Sequence, residues 1–181
     1  MKKITSLILI LLCLNSYSQN QKIEHENFKL LESKKIIWQK VFDFKGEKDS
    51  IVNIFKGFVK QNSFMNSLQY KDYTFIGFSN YTKLTNLSGA PMGAYTEYNS
   101  FITIDIKDNR YRITIKDIKF KPVQMNLDLI SINQSYTLSD FVVRKNHHEI
   151  RKNKNSRKFL KNFNKDLVKM LQYSALKKDD W

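Results

Sequence analysis

Cysteine, proline and glycine are scarce in this sequence of 181 residues, which contains one, two and five of them respectively. A single cysteine, Cys13, cannot form an intramolecular disulfide or a thiolate metal cluster. Few glycines and prolines argue against a long flexible linker. No apolar run reaches the roughly 20 residues that a membrane-spanning helix needs. These absences favour one ordered domain held by its core, for which 13 Phe, 9 Tyr and 2 Trp are available.

The first residues have the organisation of a secretory signal peptide. Two lysines follow Met1, residues 7–14 are apolar, and Ser16 and Ser18 occupy the positions that a signal peptidase reads. We therefore predict that residues 1–18 are removed and that the protein is exported, to the periplasm or the outside. A buried N-terminal helix is the alternative interpretation of the apolar run.

Cys13 raises the question of a lipid anchor, because bacterial lipoproteins are cleaved directly before a cysteine that becomes acylated. Such sites usually carry small residues before the cysteine, whereas Leu12 is large and Cys13 lies inside the apolar run. We interpret Cys13 as part of the signal peptide, so lipoprotein anchoring is not expected. The mature chain would then contain no cysteine.

The formal net charge of +14 favours contact with anionic surfaces or polymers. Lysine supplies 26 of the 31 basic residues and arginine 5, although specific recognition of phosphate or carboxylate usually relies on the arginine fork. Two interpretations stay open: a functional anionic partner, or solubilising charge in a composition rich in Lys, Asn and Ile. Nucleic acid is not an expected partner of an exported protein.

Hydrophobic periodicity predicts an α+β domain with a single antiparallel sheet and two helices on one face. Its strands are expected at 36–44, 73–84, 95–107 and 110–120, and its helices at 48–62 and 154–177. A tight turn at Asp108–Asn109 is expected to join the last two strands. The domain would span residues 35–178, after a polar leader at 19–34 that is mobile or a short helix. Residues 123–150 receive no assignment.

Two stretches of this pattern resemble a family of exported Bacteroidetes proteins of unknown function with a fold like that of TATA-binding protein. The first is KIIWQKVFDF at 35–44, leading into a helix opened by Lys48-Asp49-Ser50; the second is the hairpin FITIDIKDNRYRITI at 101–115. The resemblance implies a TBP-like β-α-β(3-4)-α order and an envelope location. It implies no catalytic or binding residue, since the family has none assigned. A shared fold is no evidence of DNA binding.

Residues with metal-ligating chemistry cluster once, at His147-His148-Glu149. Consecutive side chains diverge on a strand or helix, so one element rarely supplies three ligands, and His25 lies in the leader. We therefore predict no metal site and no cofactor.

Catalytic groupings are also missing from the sequence. There is no Gly-x-Ser-x-Gly motif, no phosphate-binding glycine loop and no His-Glu-x-x-His spacing. The acids on predicted elements are scattered along the chain: Asp43, Glu97, Asp105, Asp117, Asp128 and Asp140. The leading hypothesis is a non-enzymatic envelope protein that binds another envelope component, either a protein or an anionic lipid or glycan surface. The alternative is a carboxylate-based hydrolase or glycan-processing enzyme that uses the open face of the sheet.

Two segments are candidate binding regions. Residues 144–178 contain 12 basic and 2 acidic residues, and their helix would combine an apolar stripe with a basic face. Its candidate surface-binding residues are Arg151, Lys152, Lys154, Arg157, Lys158, Lys161, Lys165 and Lys169. The glycine-rich connection at 85–94 is a candidate recognition loop, with Ser88, Gly89, Pro91, Met92 and the adjoining Tyr95. A solvated helix face and an ordinary loop insertion are the respective alternatives.

Overall fold

A computed structural model describes residues 24–127 and 130–173, which form an antiparallel sheet with helices packed on one face. The strands are β1 (Glu24–His25), β2 (Phe28–Leu30), β3 (Ile36–Asp43), β4 (Gln69–Lys71), β5 (Thr74–Phe78), β6 (Tyr98–Lys107), β7 (Arg110–Leu127), β8 (Ile130–Thr137), β9 (Val143–Arg144) and β10 (Glu149–Ile150). The helices are α1 (Lys48–Gln61), α2 (Leu138–Val142) and α3 (Lys154–Leu171), with a single 3-10 turn at Met92–Ala94.

The main sheet has the strand order β1-β2-β3-β7-β6-β5-β4, and β9 and β10 form a separate small hairpin. The eighth strand, β8, pairs with the second half of β7. Phe120 pairs with Tyr98 of β6 and with Tyr136 of β8. Strand β8 therefore lies on the opposite side of β7 from β6, in line with β3.

The predicted hairpin between β6 and β7 is confirmed. Lys107 pairs with Arg110, so Asp108 and Asn109 form a two-residue turn. Asn109 has φ of 59°, a left-handed conformation that asparagine tolerates better than most residues. Its side chain also accepts a hydrogen bond from the backbone N–H of Gly46 at 3.2 Å, which ties the turn to the segment before α1.

The core lies between the sheet and helices α1 and α3. Alternate residues of β6 and β7 are buried on the helix side, as the period of two in the sequence predicts. Phe55 of α1 packs on Tyr111 with ring centroids 4.5 Å apart, and Phe163 of α3 packs on Tyr98 at 5.0 Å. The α+β prediction with two amphipathic helices on one face is therefore confirmed.

The leader is where the expected secondary structure was wrong. Residues 24–30 form β1 and β2 rather than a mobile segment or a helix, and Phe28 is fully buried. Phe28 pairs with Trp38 and packs against Phe163, with ring centroids 5.8 Å apart. Three residues of alternating polarity are too short to indicate a strand by themselves, so this strand depends on its partner.

Other boundaries also shift. The strand expected at 73–84 is shorter, at Thr74–Phe78, and it pairs with the added strand β4. The unassigned region 123–150 contains the end of β7, then β8, α2 and the β9–β10 hairpin. The helix expected at 154–177 ends earlier, at Leu171. The predicted signal peptide at 1–18 and Cys13 lie outside the described residues. Among the described helices, none is long and apolar enough to cross a membrane.

Candidate anionic-surface site on α3

Helix α3 begins at a side-chain cap and buries a well-defined stripe. The Oδ1 of Asn153 accepts a hydrogen bond from the backbone N–H of Ser156 at 2.8 Å, which satisfies one of the free donors at the start of the helix. The buried residues of the helix are Ser156, Phe159, Leu160, Phe163, Asn164, Leu167 and Leu171. At about 100° per residue they cover an arc of roughly 140° that faces the sheet.

The cations of α3 occupy the opposite side of the helix. All eight predicted surface-binding residues are exposed, including Arg151 and Lys152, which precede the helix. The six within it fall in an arc of about 120°, centred roughly opposite the buried stripe. They are Lys154, Arg157, Lys158, Lys161, Lys165 and Lys169. The structure therefore places these six cations on one outward side of the helix, which we call the α3 basic face.

The charges of the α3 basic face are unfavourable for the helix itself. Arg157, Lys161 and Lys165 follow one another at a spacing of four residues, where like charges cost about 0.2–0.5 kcal/mol per pair. The first turn carries basic residues and no acid, contrary to the preference of the helix dipole. Within residues 24–127 and 130–173, the ion pairs formed at 4 Å or less leave out all six cations.

The one acid of α3, Asp166, is used to hold the loop at 85–94. Its carboxylate accepts the backbone N–H of Thr85 at 2.8 Å and also the hydroxyl of the same residue. One turn earlier, the amide of Asn162 donates to the carbonyl oxygen of Ser88 at 3.0 Å. The first half of the predicted recognition loop is thus attached to the flank of α3. Sequence reasoning missed Asn162 and Asp166, since a polar residue beside a basic face looks like ordinary solvated surface.

Gly89 of this loop lies close to the backbone of the first turn of α3. It has φ of +83°, and a Cβ added there would lie 2.7 Å from the backbone oxygen of Asn155. Pro91 follows, and then Met92 and Tyr95 are 62% and 54% exposed. The loop therefore presents the side chains of Met92 and Tyr95 to solvent, while Gly93 and Ala94 between them are buried.

Beneath the loop attachment, Tyr98 is buried almost completely. Burial raises the pKa of its hydroxyl, and the negative charge of Asp166 raises it further. Tyr98 is consequently neutral at physiological pH. It contributes packing to the site and no charge.

The open face of the sheet offers a different environment. A cavity of about 220 Å³ there is lined by Val41, Asp105, Lys107, Arg110, Tyr111 and Arg112. Its one carboxylate, Asp105, accepts hydrogen bonds from Nε and Nη2 of Arg112 at 3.1 and 2.8 Å. The cavity therefore combines one neutralised acid with further cations.

The histidines are placed apart from any ligand cluster. His147 and His148 lie in the turn between β9 and β10, while His25 is on β1. In the part of the chain that the structure describes, no three His, Cys, Asp or Glu side chains are grouped as a metal site would require.

Comparison with solved structures identifies proteins with a similar fold. A TBP-like protein from Parabacteroides distasonis is 17% identical and superimposes with a TM-score of 0.50, over 80% of this chain and 97% of that protein. A DUF4468 family protein from Bacteroides ovatus is 15% identical, with a TM-score of 0.44, over 77% of this chain and 81% of that protein. No family model and no curated protein matches the sequence. The chain therefore has a TBP-like α+β fold, which confirms the resemblance drawn from its sequence.

Proposed function

We propose that this protein is a non-enzymatic, exported protein of the cell envelope that docks on an anionic membrane surface through the α3 basic face. One observation carries the proposal: six cations align on one side of α3, without an acidic partner among the described residues. Export itself is inferred from the signal-peptide pattern of residues 1–18.

The shape of the α3 basic face suits an extended surface better than a small ligand. The 18 residues of α3 span about 27 Å at 1.5 Å per residue, and the cations are distributed over the whole length. Five of the six are lysines, whose point charges suit mobile headgroups, whereas specific phosphate sites favour the planar arginine fork. The arrangement matches a fluid layer of anionic lipid.

The expected affinity follows from the number of charges. Each Lys or Arg close to an anionic leaflet contributes about 1 kcal/mol, and the attraction decays over a Debye length, about 10 Å at 0.1 M salt. Six cations on one face would therefore give measurable binding at low salt that is strongly weakened at about 1 M, where the Debye length is about 3 Å.

Co-sedimentation with vesicles tests the proposal. The purified protein is mixed with vesicles of phosphatidylcholine alone or of phosphatidylcholine with phosphatidylglycerol, at low and high salt. We expect binding to the anionic vesicles at low salt only. Replacing Arg157, Lys161 and Lys165 together by Gln should weaken that binding by about 100-fold, since it removes roughly 3 kcal/mol of attraction.

A matched variant distinguishes the α3 basic face from total charge. Lys45, Lys60 and Lys71 are exposed and lie outside α3, and their replacement by Gln removes the same three charges. We expect this control to bind nearly as well as the unmodified protein. Equal loss in both variants, or no binding to anionic vesicles at low salt, would refute docking through α3.

The carboxylate-based hydrolase or glycan-processing enzyme stays the alternative prediction from the sequence. In the open-face cavity, Asp105 is held by Arg112. A second cavity is lined by two carboxylates, Asp117 and Asp140, and each of them is paired with a lysine, Lys35 and Lys145 respectively. Binding of another envelope protein through Met92 and Tyr95 is a further alternative.

A further inference from the structure

The main sheet has a gap along one edge of β7. Two strands that lie in line with each other, β3 and β8, both pair with this edge. The pairing of β3 reaches as far as Trp38–Ile115, and that of β8 begins at Thr137–Lys119. Among the described strands, none pairs with residues 116–118 on this side. The backbone of β7 is therefore open between the two strands.

A β-bulge in β7 lies at the same place. Toward β6, Phe101 pairs with Lys116 and Asn99 pairs with Lys119, so β7 has one residue more than β6 here. Asp117 in this bulge has φ of 48°, a left-handed conformation that glycine adopts more readily than any other residue. The chain thus has a carboxylate at a position where glycine would relieve the backbone of strain.

The gap borders a cavity of about 580 Å³, which we call the gap cavity and which is lined by residues 33–36, 117–119, 137–140 and 145. Its volume lies within the range of about 300–1,000 Å³ that is usual for small-molecule sites. The apolar part of its lining is almost completely buried and consists of Ile36, Ile118 and Leu138. The gap cavity therefore has the size and the apolar lining of a ligand site.

The charged residues of the gap cavity are not balanced. Nζ of Lys35 lies 3.0 Å from Oδ1 of Asp117, and Nζ of Lys145 lies 2.8 Å from Oδ1 of Asp140. Two further lysines of the lining form no ion pair with any acid among the described residues. They are Lys34 and Lys119. Four lysines and two aspartates give the gap cavity a net charge of +2.

The two carboxylates of the gap cavity differ in their capacity to accept further hydrogen bonds. Oδ2 of Asp140 accepts the backbone N–H and the hydroxyl of Thr137, at 2.9 and 2.7 Å, so both oxygens of Asp140 are in use. Burial raises the pKa of Asp140, but the hydrogen bonds from Lys145 and Thr137 outweigh burial and lower it below its ordinary value. Oδ2 of Asp117, by contrast, has no hydrogen-bond partner in the described part of the chain. Asp117 can therefore accept a hydrogen bond from a ligand.

These groups together favour an anion that also carries hydroxyls. The net charge attracts an anionic group, for which Lys34 and Lys119 are available. A ligand ammonium would be repelled by the net charge and would compete with Lys35 for Asp117. A neutral hydroxyl, however, can donate to Oδ2 while the lysine stays on Oδ1. The exposed hydroxyl of Ser33 supplies a further donor and acceptor in the same lining.

We propose that the gap cavity binds an acidic sugar, whose carboxylate or phosphate is held by Lys34 and Lys119 and whose ring hydroxyl donates to Asp117. The residues of this site lie outside α3. The inference goes beyond the proposed function and does not depend on docking at a membrane.

Titration of the isotope-labelled full chain, followed by heteronuclear NMR, tests the proposal. Five probes at equal ionic strength separate the two parts of the ligand. Glucuronate and glucose-1-phosphate carry a charge and hydroxyls, glucose carries hydroxyls only, and acetate and inorganic phosphate carry a charge without a sugar ring. We expect the amide signals of residues 33–36, 117–119 and 137–140 to shift with roughly millimolar affinity for glucuronate, glucose-1-phosphate or both. Glucose and the two simple anions should bind at least about tenfold more weakly.

The pattern of binding also identifies the source of the charge. Binding of glucuronate alone supports a uronic acid, binding of glucose-1-phosphate alone supports a sugar phosphate, and binding of both supports an acidic sugar of either kind. Equal affinity for a sugar and for its simple anion would overturn the proposal, because the hydroxyls would contribute nothing. Shifts confined to other residues, or no shifts well above millimolar concentration, would overturn it as well.

Two double variants separate the gap cavity from total charge. Lys34→Gln with Lys119→Gln should weaken binding of the sugar at least about tenfold, because both charged donors are lost. Lys45→Gln with Lys60→Gln removes two exposed lysines outside the cavity and should leave the affinity nearly unchanged. Equal losses in both proteins would overturn the assignment of the site.

Asp117→Gly tests the contact with the hydroxyl. Glycine adopts φ of 48° without strain, so this variant should melt at nearly the same temperature as the unmodified protein. The affinities for the sugar and for its simple anion should become similar, because the acceptor is lost while Lys34 and Lys119 remain. A folded Asp117→Gly protein that keeps the full preference for the sugar would overturn the proposed contact.

Discussion

Thr85 donates its backbone N–H to Oδ2 of Asp166 at 2.8 Å, and its hydroxyl donates to the other oxygen of the same carboxylate. This contact ties the start of the loop at 85–94 to the one acid of α3. The acid that could have balanced neighbouring lysines therefore holds the loop instead. Because Asp166 is engaged with the loop, the charged side chains on the outward side of α3 are all basic.

Replacing Asp166 by Ala should destabilise the fold by about 1–2 kcal/mol, because two hydrogen bonds to a charged acceptor are lost at a partly exposed position. Urea denaturation followed by circular dichroism measures the change. Asp43→Ala is the control, since Asp43 is exposed and its loss should cost less than about 0.5 kcal/mol. A similar effect of both substitutions would show that the attachment of the loop does not contribute to stability.

Asn164 is expected to contribute more to the stability of the fold than Asn162, which lies two residues earlier on the same helix. Its Oδ1 accepts hydrogen bonds from Nε1 of Trp38 at 2.8 Å and from Nδ2 of Asn27 at 2.7 Å. Asn164→Ala leaves a buried indole N–H without a partner and should cost about 2–3 kcal/mol. Denaturant titration with tryptophan fluorescence measures this directly. Asn162→Ala, which breaks more exposed contacts to the loop, should cost about 1 kcal/mol or less. A larger loss of stability for Asn162→Ala than for Asn164→Ala would contradict the stabilising role of the Asn164 hydrogen bonds.

Two glycine-to-alanine substitutions should change stability in opposite directions. Gly89→Ala introduces a Cβ at φ of +83° and 2.7 Å from the backbone oxygen of Asn155, and it should cost at least about 2 kcal/mol. Gly57 lies inside α1 with nothing within 4 Å of its would-be Cβ. Gly57→Ala should stabilise by about 0.5–1 kcal/mol, since alanine restricts the unfolded chain and favours helix. Thermal melts of both variants test the pair, and destabilisation by Gly57→Ala would contradict the geometry of α1.

Alkaline pH should destabilise the protein through Tyr111. Burial raises the pKa of its hydroxyl to about 12, against the opposing effect of the hydrogen bond that it accepts from the backbone N–H of Tyr173 at 2.9 Å. In the unfolded chain, the tyrosine has its ordinary pKa of 10.0. Above that pH, deprotonation lowers the free energy of the unfolded state, while the folded state stays protonated up to about pH 12.

The contribution of Tyr111 is thus fully present below pH 10 and is lost between about pH 10 and 12, with a magnitude on the order of 2 kcal/mol. Denaturation at a series of pH values measures it. Tyr111→Phe is the comparison: it should be less stable at neutral pH but lose less stability between pH 10 and 12. Parallel curves for the two proteins would contradict the raised pKa.

Local patterns were sufficient for much of the fold. The alternation of Ile102, Ile104 and Ile106 with polar residues identified β6, because a strand with one buried face has a period of two. The helical spacing of Leu160, Phe163 and Leu167 identified α3 in the same way. The six cations of the α3 basic face could be named for the same reason, since charge opposite an apolar stripe follows from helix geometry.

Other features depend on partners distant in the sequence. Phe28–Leu30 is a strand because β3 pairs with it, and Asp166 is a loop anchor because Thr85 lies next to it in space. Strand β8 belongs to the sheet because it pairs with β7 beyond the end of β6. The sequence by itself determined the periodic elements and the sign of the charge, which are properties of neighbouring residues. Only the tertiary structure decided which short segments join the sheet, which polar side chains form hydrogen bonds and which charges face outward. Each of these features requires a partner that folding brings close.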